Sequence, residues 1–135
     1  VSALFFWSYF AAVSWVIVYL ISCRLKNSGA SLGWKLQRLT GAFLLLMIPG
    51  HMIFMHLDPA IGRDIQVITE RMRSVFIKGV DLLLVCSVLY HGAYGAIGIC
   101  RDYLSPGRLL LACRGAVIVV TIVFAWVGIK LIFQV

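Results

Sequence analysis

Acidic residues are scarce in this chain: five Asp and Glu stand against twelve Lys and Arg, a net charge of +7. Charge of either sign makes up only 13% of the residues, while 62% are hydrophobic. A soluble domain of 135 residues needs a polar shell, and this composition excludes one. The four cysteines, Cys23, Cys86, Cys100 and Cys113, form no CxxC pair and no CxxCH, so covalent haem attachment is excluded. They lie mostly in or at the ends of apolar segments, where cysteine behaves as a small hydrophobe, and no disulfide or metal is assigned to them. No basic-aromatic surface lies outside the apolar segments, so nucleic acid is not an expected partner. No internal repeat with a clear period is present.

Long apolar runs are what the chain does have, and its mean hydropathy is +1.01. Four of them, at about 3–23, 39–57, 75–100 and 109–133, match the roughly 20 residues needed to cross a hydrocarbon core of about 30 Å. The expected fold is all-α: a polytopic transmembrane helix bundle with four membrane-spanning helices, forming a single transmembrane domain over 1–135. Only short connections remain, so a catalytic module facing water must be another chain. The first run is too long and too aromatic for a signal-peptide core and has no small-residue cleavage pattern after it, so it reads as a retained helix.

Breaks between the runs are well marked. The stretch KNSGASLGWK (26–35) is polar and rich in Ser and Gly. Pro49-Gly50 immediately precedes His51, and a proline removes a backbone donor and bends a helix that neighbours must re-satisfy. Asp58-Pro59 signals a turn, residues 64–73 fit a short interfacial helix, and Ser105-Pro106-Gly107 fits a tight turn. The connections after the first and third runs carry Arg24, Lys26, Lys35, Arg38, Arg101, Arg108 and Arg114 against Asp102 alone. After the second run, Arg63, Arg71 and Arg73 are cancelled by Asp58, Asp64 and Glu70. The positive-inside bias therefore puts 24–38 and 101–114 in the cytoplasm and both termini on the outer side. Lys78 and Asp81, one turn apart, read as a local ion pair.

The segment LYHGAYGAIGICRDY (89–103) concentrates the chemistry. His91, Gly95, Gly98 and Asp102 fall within about 40° of one another around a helix. Neutral imidazole is a common metal ligand, and glycine beside it opens a flat slot for a large planar group. His51 lies thirteen residues past Arg38 and His91 ten residues before Arg101, depths of about 20 and 15 Å from the cytoplasmic end. Two readings stand for each: an axial haem ligand, or a polar link between helices. A six-coordinate b-type haem takes two protein ligands. If His51 and His91 share one haem the chain can hold it alone; if they serve haems at different depths, each needs a histidine from elsewhere. His56, about 140° round from His51, reads as an interfacial residue outside that pocket.

These residues resemble a family, the membrane-anchor cytochrome b subunits of succinate dehydrogenase and fumarate reductase, of the small anchor type. His91 followed eleven and twelve residues later by Asp102 and Tyr103 resembles the segment with the haem-ligating histidine and the Asp-Tyr pair near the quinone. WKLQRLTG (34–41) resembles the Arg followed by small residues at the start of a helix, and MIPGHMIF (47–54) resembles the diheme anchors with His51 at the ligand position. Gln37 and Trp34 stand where some members have His and Ser.

The resemblance implies haem b, one or two, shared with a second membrane-anchor subunit, and a quinone, ubiquinone or menaquinone. It also implies docking of an iron–sulfur subunit and a flavoprotein subunit at the cytoplasmic face of the cell inner membrane. His91 and His51 would be the iron ligands. Arg38, Gly95, Asp102 and Tyr103 would complete the cofactor-binding set, with Asp102 and Tyr103 near a quinone. Arg38 also reads as ordinary positive-inside charge, and Tyr103 as an interfacial anchor. The competing reading is a self-contained four-helix cytochrome b of another membrane dehydrogenase.

Overall fold

Residues 3–57 and 63–134 are described by a computed structural model of the chain. The Asp58-Pro59 turn lies outside them, and so does the side chain of His56. Among the described residues five helices follow in order: α1 (Ala3–Lys26), α2 (Leu32–Leu57), α3 (Ile65–Met72), α4 (Val75–Tyr103) and α5 (Arg108–Phe133). The four long ones are apolar enough to cross a membrane, and no strand occurs among the described residues. The protein is an all-α transmembrane helix bundle.

Helix α2 begins seven residues before the apolar run that marks it in the sequence. Lys35 and Arg38 interrupt the run, but a helix needs only its backbone hydrogen bonds and a start signal. Ser31 provides that start: its Oγ accepts from the Trp34 N–H at 3.3 Å and its carbonyl from the Lys35 N–H at 3.1 Å. The turn before it uses Gly29 at φ 64°, a conformation that costs glycine nothing. Lys35 Nζ then donates to the Lys26 carbonyl at 3.3 Å, placing a cation on the C-terminal end of α1. Helix α3 is capped by Asp64, whose carboxylate accepts from the Gln66 N–H at 2.9 Å.

Neighbouring long helices pack in chain order, α1 on α2, α2 on α4 and α4 on α5, with α3 lying against α4. The tightest core joins α1, α2 and α4: Trp7 and Met47 are buried, with Phe6, Phe10, Phe43, Val80 and Leu84 against them. Ser14 Oγ donates to Met47 Sδ at 3.6 Å inside it. Gly50 lets the Phe10 ring approach the backbone of α2, because a Cβ there would overlap the ring. Large apolar side chains such as Leu45 and Trp126 are more than 70% exposed, which is ordinary for a surface whose solvent is lipid.

Candidate functional site

The two deep histidines occupy different places. His91 of α4 lies against the N-terminal third of α2. Its Nδ1 is 3.1 Å from the Gln37 carbonyl and 3.4 Å from Thr40 Oγ1. Thr40 has one hydroxyl proton and directs it at its own helix, to the Leu36 carbonyl at 2.8 Å. The Gln37 carbonyl can only accept. The network therefore puts the imidazole proton on Nδ1 and leaves the lone pair on Nε2. This is the arrangement in which metal-binding histidines are held, with the second ring nitrogen donating to a carbonyl. Gly41 makes the approach possible: a Cβ there would lie 2.8 Å from His91 Cε1.

Gly95, one turn further along α4, does not open onto a free slot. A Cβ there would lie 3.2 Å from Gln37 Nε2, so the Gln37 carboxamide takes the space the sequence offered to a planar group. Gly92 and Gly98 have nothing within 4 Å of an added Cβ and are the open positions near His91. Gln37 Oε1 is buried without a hydrogen-bond partner among the described residues, an acceptor left open. Tyr90 and Tyr94 continue the contact, Tyr90 donating to the Gly33 carbonyl at 3.1 Å and stacking on Tyr94 at 5.8 Å.

Arg38 sits inside α2, next to Gln37, with its guanidinium carbon 4.8 Å above the Trp34 ring and its side chain exposed. Asp102 and Tyr103 are exposed at the end of α4, Tyr103 by 84%. They lie eleven and twelve residues beyond His91, about 16–18 Å along the helix, so this chain does not bring them to the imidazole.

His51 occupies a second setting toward the opposite end of the bundle. It lines a cavity of 160 Å³ with Trp7, Ile68, Arg71, Met72 and Asp81, contributed by α1, α3 and α4. Its ring is 5.6 Å from that of Trp7. Burial pulls the Arg71 guanidinium below its ordinary pKa, and the Asp81 carboxylate works against that shift. Asp81, one turn from Lys78 on α4, also lines the cavity that holds Arg71 and His51.

The depths also differ from the sequence estimate. His91 is level with Gly41, ten residues before His51, while Asp81, level with His51, is ten residues before His91. Both helices give a separation of about 15 Å, in place of about 5 Å. The sequence measure took Arg38 as the membrane boundary, whereas α2 is helical from Leu32 and Arg38 lies at the level of His91.

A family profile described as succinate dehydrogenase/fumarate reductase transmembrane subunit matches residues 21–129. The chain belongs to this family. No curated protein and no solved structure matches it. The matched region takes in α2 to α4 whole and most of α5, with only the last residues of α1. Both histidines and both settings of this transmembrane subunit therefore fall within the family region, and Trp7 alone is contributed from outside it. Sequence reasoning missed Thr40 and Gln37 as partners of His91, and Trp7 and Asp81 as neighbours of His51. A signal for the first pair was present. Gln37, Thr40 and Gly41, at i, i+3 and i+4, share a helix face, as do His91 and Gly95.

Proposed function

We propose that this integral membrane subunit carries haem b at two levels, each haem shared with a second membrane-anchor subunit, between an iron–sulfur subunit and membrane quinone. The observation that carries the reading is the His91 hydrogen bond to the Gln37 carbonyl, which presents Nε2 as a ligand. Other features fit the same group: an unpartnered buried acceptor at Gln37, an exposed guanidinium at Arg38 on the same level, and Arg71 beside His51. A cavity of 160 Å³ at His51 cannot enclose a macrocycle, in keeping with a haem seated at the boundary with another chain. Haem b, when bound, supplies one-electron transfer at a potential set by its ligands and surroundings.

The chain's own residues have distinct tasks. His91 ligates on the basic side and His51 on the far side. Thr40, the Gln37 carbonyl and Gly41 hold the His91 ring in one tautomer and one orientation. Arg38 pairs with a propionate or donates to the quinone. Gly95 keeps room for the Gln37 carboxamide. Asp102 and Tyr103, at the exposed end of α4, face the quinone and the docking partners, Tyr103 donating to a quinone carbonyl and Asp102 passing a proton. The basic end is cytoplasmic, both termini lie outside, and the iron–sulfur and flavoprotein subunits dock on the basic end of the cell inner membrane anchor.

A single haem held by both histidines is disfavoured, since both imidazoles would have to reach one iron and they stand about 15 Å apart. Pyridine-haemochrome analysis of the purified complex tests the proposal. Two haems b per complex are expected, and one haem would sink the two-level version.

A further inference from the structure

The α4–α5 interface has a feature that the haem and quinone reading does not use. Between these helices runs a groove of 550 Å³, floored by small or apolar residues including Gly92, Ala93 and Ala96 of α4 and Ala116, Val117 and Thr121 of α5. A Cβ on Gly92 would meet nothing within 4 Å, so the floor is open. Toward the basic end the two linings continue to Cys100, one turn past Ala96, and to Arg114, one turn before Val117. Cys100 of α4 and Cys113 of α5 come together across the interface there, with Arg114 close by. Arg114 is half-buried six residues inside α5, and its Nε is buried with no hydrogen-bond partner among the described residues. Arg101 and Arg108 are exposed around the same end.

A guanidinium whose Nε lacks a partner among the described residues, at the mouth of an apolar groove, suits an anion that carries a hydrocarbon tail. From Val88 to Cys100 the groove and its mouth extend twelve residues along α4, about 18 Å, close to the roughly 15 Å of one leaflet. Basic pockets between transmembrane helices are suited to acidic phospholipid headgroups. We propose that the α4–α5 groove binds one anionic phospholipid, its phosphate on Arg114 and an acyl chain along Gly92, Ala93 and Ala96. The lipid would complete the bond that Arg114 Nε lacks and fill the surface that α4 and α5 leave open.

The test uses the intact complex, delipidated in detergent and offered phosphatidylglycerol or phosphatidylcholine, with retained lipid counted by native mass spectrometry. The wild type should keep phosphatidylglycerol in preference to phosphatidylcholine, and inorganic phosphate should not displace it. Arg114→Gln should lower phosphatidylglycerol retention by about fivefold, the effect of one cation at a lipid headgroup, with the haem spectrum unchanged. Arg114→Lys should keep the preference. Gly92→Leu, which fills open space without touching the charge, should lower retention of both lipids. Equal retention of the two lipids by the wild type, or undiminished phosphatidylglycerol in Arg114→Gln, overturns the proposal. So does a Gly92→Leu complex that loses quinone while keeping its lipid. Should Arg114→Gln fail to assemble, the Arg114→Lys and Gly92→Leu pair decides the matter alone.

Discussion

The two histidine settings answer the same problem, an imidazole inside a membrane, with opposite means. His91 is held by backbone: the Gln37 carbonyl accepts from its Nδ1–H, Thr40 lies beside it and Gly41 leaves no spare room. Its ring nitrogen is committed before any cofactor arrives. His51 instead faces a 160 Å³ cavity lined by side chains, among them a carboxylate and a guanidinium from two other helices. Backbone partners fix direction at little cost, since their dipoles are already oriented by the helix. Charged partners in a low-dielectric site act over longer range and tune a bound group electrostatically. The basic-end site is thus built for geometry, and the far site for field.

That contrast is broken most readily at His91. His91→Ala should remove one b-type band from the reduced-minus-oxidised spectrum of the complex and weaken assembly, because an apolar pocket then loses its ligand. A spectrum identical to wild type would refute the assignment. Gly41→Ala comes next. The added methyl must displace a ring held on its other side, which should lower stability of the complex by about 1–3 kcal/mol and shift the same band. Thermal denaturation of the complex reads the first effect, and a band that stays put with full stability would show that His91 is not confined as described. Asp81→Asn is the mildest change and probes the other site. It removes a negative charge beside Arg71 and His51, so the haem proposed at His51 should gain in midpoint potential while the His91 band stays where it was. A redox titration that moves both bands together would erase the distinction between the two settings.

Much of this architecture can be read directly from the residues. Four apolar runs and a shortage of acids leave no other fold class, because lipid demands that each segment satisfy its own backbone. Helix α2 shows where such reading stops. Its first seven residues are too polar to register as membrane helix, yet Ser31 starts the helix regardless of hydropathy. That shift moved Arg38 from the boundary to the level of His91 and tripled the distance between the histidines. Gly95 shows a second limit. Helical periodicity puts it on the face of His91, but periodicity cannot say that a glutamine from another helix fills the space.

What the sequence determined by itself was therefore the solvent, the number of crossings, the end that carries the positive charge and the residue types able to bind a cofactor. Those follow from composition and from spacing along one helix, which are local. The tertiary structure alone decided which helix lies at which height against its neighbour. That choice put His91 on the Gln37 carbonyl, brought Asp81 to a cavity with His51, and left Arg114 at the mouth of an open groove. Helix-to-helix register depends on close approaches at Gly33, Gly41 and Gly50. Each is a property of two chain segments at once, and neither segment shows it alone.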